Sequence, residues 1–115
     1  MAKTIYIAGP MRGYKNYNFP AFDAAQKLLE SQGWRVLNPA QMDRDSGFDP
    51  ITITDPKYDW SKLPTGFSMK AARRRAIDAI EASDAVYLLR RYFDSTGAMA
   101  ELRYAEWRGN EVMFQ

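Results

Sequence analysis

The sequence predicts an α/β fold, a Rossmann-like parallel sheet with helices on both of its faces. Strand-like and helix-like segments alternate along the chain, and this alternation produces parallel strands joined by helical crossovers. The chain has 115 residues, enough for one compact domain with a single core and too few for two. We therefore expect residues 1–115 to form one domain.

The first half of the chain contains two strand patterns with a helix pattern between them. Thr4 to Ala8 is a short β-branched and aromatic run, which is typical of a central strand. Asn18 is placed to cap a helix over residues 19–32, whose apolar stripe continues until Gly33 ends it. Trp34 to Leu37 predicts the second strand.

Residues 40–66 do not continue the alternation. They combine prolines with many Asp, Thr and Ser residues, and no helical period persists through them. Such a long loop in a small domain is usually a lid or binding segment, or is partly disordered. We therefore expect a long loop or lid at about residues 40–66.

The alternation resumes in the second half of the chain. Ser68 is placed to cap a helix that runs to about Ala82, with apolar residues on one side. Residues 85–89 form an apolar run that predicts a buried strand, and residues 97–108 predict the next helix. A Gly-Asn turn then leads into a last short strand over residues 111–115.

The composition excludes several kinds of chemistry. No run of about 18 apolar residues is present, so we expect no membrane span, and the lack of a signal-peptide pattern predicts a cytoplasmic protein. Cysteine and histidine are both absent, which excludes disulfides, Ser-His-Asp triads and His-ligated zinc. We expect no metal and no cofactor, and assign any acid–base or nucleophilic chemistry to Asp, Glu, Tyr, Lys, Ser or Thr.

The net charge of +2 is nearly balanced and does not demand a nucleic-acid partner. Basic residues do cluster at Arg73-Arg74-Arg75 and at Arg90-Arg91. They are either solvated charges or a patch that faces an anion or an interface. Nucleic-acid binding through the first cluster is the weaker hypothesis, and it would predict a steep dependence on salt.

Two predicted strands end in loops of unusual chemistry. One loop covers residues 9–14, and the other is Asp94-Ser95-Thr96-Gly97. Because parallel strands end at the same edge of a sheet, we expect both loops to converge on one ligand. The second loop enters a helix whose first N–H groups can hold an anion, and Glu101 lies one turn inside it. An anion cradle beside a carboxylate suits a phosphorylated substrate.

Three segments together resemble the nucleoside 2-deoxyribosyltransferase superfamily. They are Ile5-Tyr6-Ile7-Ala8-Gly9-Pro10-Met11-Arg12-Gly13, Asp84 ahead of a strand, and Ser95-Thr96-Gly97-Ala98-Met99-Ala100-Glu101-Leu102-Arg103-Tyr104-Ala105. Within that superfamily the chain resembles the small uncharacterised phage and bacterial members. It also resembles the 2'-deoxynucleoside 5'-phosphate N-hydrolases. The resemblance does not extend to residues 40–66. It implies cleavage or exchange of the N-glycosidic bond of a deoxynucleoside or its 5'-phosphate.

By that resemblance Glu101 matches the glutamate that attacks the anomeric carbon. A carboxylate can stabilise the oxocarbenium-like sugar or trap it covalently. The alternative for Glu101 is an ordinary charge on a helix surface. Tyr6, at the end of the first strand, either reaches the sugar or packs in the core.

The resemblance also implies a phosphate site, because Arg12, Ser95 and Gly97 match the phosphate-binding positions of the N-hydrolases. A guanidinium fork, a hydroxyl and an unobstructed backbone suit a phosphate. The alternatives are a loop charge for Arg12 and a plain helix cap for Ser95. Gly9 and Gly13 complete the predicted substrate-binding set.

Ala76 departs from the superfamily pattern, which places an aspartate at this position on the helix before Asp84. Asp78 lies about 200° further around that helix and cannot simply replace it. Asp94, beside the phosphate loop, is our candidate for the second catalytic carboxylate. A departing base must be protonated, and losing the acid would slow the reaction by about 10²–10⁴. The competing hypothesis is therefore a catalytically inactive module that binds or senses a nucleotide.

The segment at residues 40–66 is expected to select the base, unless it is an ordinary surface loop. Three aromatic residues in or beside it could stack on a base, and three aspartates could read its edge or supply an acid. These residues are Tyr58, Trp60, Phe67, Asp43, Asp45 and Asp49.

We expect hydrolysis of a nucleoside 5'-monophosphate rather than base exchange, because the predicted phosphate site suits the monophosphate hydrolases. Relatives complete their sites with residues of a neighbour, so we also expect a homodimer or a larger even oligomer. The helix at residues 97–108 carries more apolar surface than a sheet usually buries. That surface comprises Met99, Leu102, Tyr104 and Trp107.

Overall fold

The protein, in a computed structural model that describes residues 3–115, contains one four-stranded sheet. Residues 1 and 2 of the predicted domain lie outside the described residues. The strands are β1 (Thr4–Ala8), β2 (Arg35–Leu37), β3 (Ala85–Leu88) and β4 (Glu111–Phe114). They lie parallel in the order β2-β1-β3-β4. The predicted parallel sheet is confirmed.

Four helices flank the sheet, and they cover both of its faces as predicted. They are α1 (Phe19–Ser31), α2 (Pro39–Asp45), α3 (Met69–Glu81) and α4 (Thr96–Arg108). Side chains of β1 alternate between the faces. Ile5 and Ile7 pack with α1 in one apolar cluster, whereas Tyr6 and Ala8 pack with α3 and α4 in the other. The sheet therefore separates two cores.

Helix α2 corrects the prediction of a loop from residue 40. Asn38 caps it by accepting a hydrogen bond from the backbone N–H of Ala40 at 2.9 Å, and Pro39 occupies the first turn. The helix has seven residues, which is too short for a helical period to emerge from the sequence. The rest of the predicted lid, residues 46–66, contains no α-helix or strand. It has one 3-10 turn at Pro50–Thr52.

The segment after α2 folds back over the loop that follows β1. The Gly13 N–H donates to the Trp60 carbonyl at 2.7 Å, and the Tyr17 hydroxyl donates to the Lys62 carbonyl at 2.7 Å. Tyr17 also packs edge-on against Trp60, with ring centroids 5.1 Å apart. These contacts place residues 46–66 beside the carboxyl ends of the strands.

Serine caps begin α3 and α4 as the sequence predicts. The hydroxyls of Ser68 and Ser95 each accept from the backbone N–H three residues later, at 3.1 Å. Asn18 behaves differently, because its backbone is left-handed and its side chain caps nothing. Its amide instead donates to the Pro10 carbonyl at 2.9 Å. Asn18 therefore ties the loop after β1 to the start of α1.

The loops after β1 and β3 open at the same edge of the sheet, as predicted. Ala8 pairs with Leu88 in the parallel register, so both strands end at the same level. Gly9 then passes against Leu89, and a Cβ atom on residue 9 would lie 2.8 Å from the Leu89 Cβ. The small size of Gly9 is therefore needed for close packing between the two loops.

Candidate active site

A cavity of about 570 Å³ opens at the carboxyl edge of the sheet. Its walls come from the ends of β1 and β3, from α1, α2 and α3, from the start of α4, and from Phe48, Leu63, Pro64 and Phe67. Seven of the eight predicted site residues line it. They are Tyr6, Gly9, Arg12, Asp94, Ser95, Gly97 and Glu101.

Gly13 is the predicted site residue that does not line the cavity. Its φ of +90° lies in the left-handed region, where glycine is favoured. Its N–H holds the Trp60 carbonyl. Gly13 therefore shapes the loop and anchors the segment that covers it.

Tyr6 and Glu101 form the hydrogen bond at the centre of the site. The Tyr6 hydroxyl donates to the Glu101 carboxylate, joining β1 to α4. The Tyr6 ring is buried in the core beneath α3 and α4. The ring therefore packs in the core, and Tyr6 also lines the cavity.

Burial raises the pKa of Glu101 from 4.5 to about 7. The Tyr6 hydrogen bond lowers this pKa, because it stabilises the charged carboxylate, and the nearby charge of Asp43 raises it. A glutamate on an ordinary helix surface would not be perturbed in this way. The site therefore holds a carboxylate poised between its two protonation states near neutral pH.

Asp43 is a second carboxylate in the cavity, and α2 positions it there. Its side chain is buried, and the residue is only 7% exposed. Arg75 of α3 bonds to it at 3.1 Å. Burial raises the pKa of Asp43, while the hydrogen bond and charge of Arg75 lower it. The sequence identified Asp43 only as one of three candidate aspartates.

The other two aspartates of that set lie outside the cavity lining. Asp45 accepts a hydrogen bond from Gln41 at 2.9 Å on the exposed side of α2. Asp49 accepts from the Ile51 N–H at 3.2 Å and lies 3.7 Å from Arg44. Neither is placed to contact a ligand in the cavity.

The start of α4 presents backbone N–H groups at the cavity. The Ser95 hydroxyl caps the helix through Ala98, which is the alternative role considered for it. The N–H groups of Thr96 and Gly97 have no acceptor among residues 3–115. The nearest atom to a Cβ on Gly97 would be the Ser95 hydroxyl at 3.9 Å. An anion can therefore approach these N–H groups closely.

Two charged side chains, Arg12 and Asp94, also line the cavity. Arg12 is exposed and makes no ion pair within the part of the chain that the structure describes. Asp94 lies beside the start of α4, and Arg91 bonds to its carboxylate through two nitrogens, each at 2.7 Å. Arg12 is thus free to bind an anion, whereas the charge of Asp94 is already paired.

Another part of the cavity wall is aromatic, and one of the three predicted aromatic residues belongs to it. Phe67 lines the cavity as expected, together with Phe48, whose ring centroid lies 5.9 Å from that of Phe67. Tyr58 and Trp60 do not line it, because they pack against Tyr17 and against each other. The sequence gives no signal that separates Phe48 from the other aromatic residues nearby.

Ala76 of α3 lines the cavity, and Asp78 does not. The helix is therefore not rotated to bring Asp78 inward, which agrees with the angle expected from the sequence spacing.

No group of three or more acidic residues suited to a metal ion occurs within residues 3–115. None of the described helices is long and apolar enough to cross a membrane.

The chain belongs to the family described as a domain of unknown function (DUF4406), which matches residues 3–114. No curated protein matches the sequence. The family match extends over the strand ends, over the three carboxylates that line the cavity and over α4. The site is therefore part of the domain that defines the family.

The raised pKa of Glu101 predicts a pH-dependent cost in stability that Glu101→Gln removes. The folded state keeps this proton up to about pH 7, whereas the unfolded chain loses it near pH 4.5. The stabilising contribution of the protonated form is complete below the unfolded pKa and is lost as pH rises through the folded pKa. Relative to the parent, Glu101→Gln should therefore gain about 2 kcal/mol of unfolding free energy between pH 5 and pH 8.5.

Urea unfolding of both proteins at several pH values measures this difference. Glu106→Gln, on the exposed side of the same helix, is the matched control and should show no such trend. A difference between parent and Glu101→Gln that stays constant across this pH range would contradict the perturbed carboxylate.

Proposed function

We propose that this DUF4406 protein cleaves the N-glycosidic bond of a nucleoside or deoxynucleoside 5'-monophosphate. Glu101 acts as the nucleophile or as the stabiliser of the oxocarbenium-like sugar. The main support for this proposal is the hydrogen bond between Tyr6 and Glu101. It lies in a cavity that is also lined by the start of α4. DUF4406 is grouped in the nucleoside 2-deoxyribosyltransferase-like clan, which supports this reaction class and leaves the substrate open.

The two ends of the cavity suit the two ends of a nucleotide. The N–H groups of Thr96 and Gly97, with Arg12, bind the phosphate as charge-assisted donors. The aromatic wall at Phe48 and Phe67 stacks on the base. Glu101, one turn inside α4, then faces the sugar between them.

The ionised form of Glu101 performs the chemistry. Its carboxylate forms a bond to the anomeric carbon, or stabilises the positive charge there, as the bond to the base breaks. Water then completes hydrolysis at the same carbon. Tyr6 holds the carboxylate in one orientation and favours its charged form. We propose hydrolysis rather than base exchange because the phosphate-binding features suit a monophosphate substrate.

A second candidate function is a nucleotide-binding or sensing module without catalysis. Ala76 supports it, because this cavity residue stands where the superfamily carries an aspartate. The two functions differ in one measurement. Incubation with a panel of nucleoside 5'-monophosphates releases free base only if the protein is an enzyme, whereas both functions predict binding.

We further propose that the protein works in the cytoplasm as a homodimer or larger even oligomer. Leu102, at 5% exposure, is buried within its own chain, and Met99 packs against the same cluster, so the predicted apolar surface of α4 is smaller than expected. Trp107 is 84% exposed at the end of that helix. Phe93 and Phe114 are also exposed and pack on either side of Tyr92.

Light scattering at micromolar concentration should therefore give a mass of at least two chains. If Trp107 lies in the interface, Trp107→Lys should lower that mass, because a charge would replace buried apolar surface. Lys27→Ala, at an exposed position on α1, serves as the control. A monomeric parent would argue against assembly.

Glu101→Gln should abolish most of the base release while nucleotide binding survives. The sugar carries no positive charge in the ground state, so the carboxylate acts mainly in the transition state. We expect turnover to fall by about a hundredfold or more, as with other preorganised charges at active sites. Chromatography measures the release of free base, and calorimetry measures the affinity for the nucleotide. Glu106→Gln is the control for both measurements.

The pH profile provides a second readout of the same residue. Because Glu101 must be ionised, kcat/KM of the parent should fall as pH drops through about 7. Tyr6→Phe removes the hydrogen bond that lowers this pKa, so the fall should move to higher pH. An active parent whose Glu101→Gln variant keeps full turnover would rule out the proposed mechanism.

Arg12→Ala should weaken the binding of a nucleoside 5'-monophosphate far more than that of the matching nucleoside. A lost charged hydrogen bond is worth about 1.5–3 kcal/mol, or about ten- to a hundredfold in affinity. Arg35→Ala, which changes an exposed residue of β2 outside the cavity lining, is the charge-matched control. Equal weakening of both ligands would show that Arg12 does not hold the phosphate.

A further inference from the structure

We propose that Asp43 is the acid that protonates the departing base, an inference that rests on the proposed function. The bond to the anomeric carbon breaks with its electron pair on the base nitrogen, which then needs a proton. Among residues 3–115 three carboxylates line the cavity, namely Asp43, Asp94 and Glu101. Glu101 is occupied at the sugar, so the choice lies between the two aspartates.

Asp94 is poorly placed to donate a proton to the base. Its carboxylate is exposed and is held by two nitrogens of Arg91. It also lies next to the N–H groups of Thr96 and Gly97, where the phosphate is proposed to bind. Asp94 therefore belongs to the phosphate end of the cavity.

Asp43 is instead linked to the aromatic wall and lies near Glu101. The Asp43 carbonyl accepts a hydrogen bond from the N–H of Phe48 at 3.1 Å, so the main chain joins Asp43 to the residue proposed to stack on the base. Asp43 is close enough to Glu101 for its charge to raise the pKa of that carboxylate. A base held against Phe48 thus meets Asp43, while its sugar meets Glu101.

The surroundings of Asp43 suit a group that alternates between two protonation states. It is buried, and burial favours the neutral acid that can donate a proton. An ionised Glu101 nearby acts in the same direction, because two close carboxylates resist being charged together. Arg75 bonds to Asp43 and is a positioning residue that stabilises the carboxylate after the proton has left.

Asp43 can supply the proton that Ala76, which has no acidic group, cannot supply. Ala76 and Arg75 are neighbours on α3, and both line the cavity with Asp43. Helix α2 therefore supplies the carboxylate from across the cavity, and α3 supplies its cationic partner. In the proposed reaction the acid therefore comes from α2 and not from α3.

The proposed cycle returns every group to its starting state. A Glu101 oxygen bonds to the anomeric carbon, the bond from that carbon to the base breaks, and the Asp43 proton passes to the base. Water then attacks the anomeric carbon, its proton passes to the ionised Asp43, and the bond to Glu101 breaks. The products are the free base and the sugar 5-phosphate, with Asp43 protonated and Glu101 ionised again.

Two substrates distinguish this role from a structural one. The first is the nucleoside 5'-monophosphate on which the parent releases most base, and the second is 4-nitrophenyl 2-deoxyribofuranoside 5-phosphate. The 4-nitrophenolate group leaves without a proton, so it needs no acid. The rate of the first turnover is measured with enzyme in excess, because Asp43 also serves the later attack of water.

Asp43→Asn should slow the first turnover of the nucleotide by about 10²–10⁴ and leave that of the nitrophenyl substrate within a few-fold of the parent. The asparagine oxygen can still accept from Arg75, and the nitrophenyl rate shows whether the variant is folded. Glu101→Gln should slow both substrates. Asp45→Asn, on the exposed side of the same helix, should change neither. Formate added to Asp43→Ala should restore part of the nucleotide reaction, since it can replace the missing acid.

Equal losses on both substrates in Asp43→Asn, with no rescue of Asp43→Ala by formate, would overturn the inference and leave the proposed function standing. A loss confined to the nucleotide in Asp94→Asn, with Asp43→Asn active, would assign the acid to Asp94 instead. A parent that releases neither base nor nitrophenolate would overturn the proposed function, and this inference with it.

Discussion

The hydrogen bond from Tyr6 to Glu101 is the interaction on which the site depends. It joins strand β1 to helix α4, so the carboxylate is fixed to a buried side chain of the sheet. Burial raises the pKa of Glu101, and the Tyr6 hydroxyl limits that rise. A carboxylate held in this way is costly to ionise in the free protein. The same environment strengthens its interaction with any positive charge that develops beside it.

The sheet register brings the remaining parts to this carboxylate. Ala8 and Leu88 end their strands side by side, and the missing side chain of Gly9 allows its backbone to pack closely against Leu89. The loop after β1 therefore presents Arg12 at the same edge where α4 begins. Parallel pairing alone puts both loops at this edge, and the packing at Gly9 sets how closely they converge.

The sequence predicts the parts of this molecule that depend on local patterns. The strands, α1, α3, α4 and the serine caps follow from periodicity and from short-range hydrogen bonds, which neighbouring residues determine. The sequence does not predict helix α2, because its seven residues are too few to establish a helical period of apolar residues. The inward position of Asp43 depends on Arg75, 32 residues away, and no local pattern reports that contact. The same holds for the aromatic wall, since the fold of residues 46–66 decides that Phe48 and not Trp60 lines the cavity.

The charges of the cavity connect the phosphate end to the carboxylates. A bound phosphate would add negative charge beside Glu101 and so oppose the ionised form that the proposed reaction needs. Arg12 and Arg73 line the cavity and make no ion pair within residues 3–115, and together with the start of α4 they offset this charge. In the proposed reaction the same cations would also help to keep Glu101 ionised once the substrate is bound. The proposed phosphate binding and the proposed role of Glu101 would then depend on the same positive charges, which a nucleoside without the phosphate would leave unpaired.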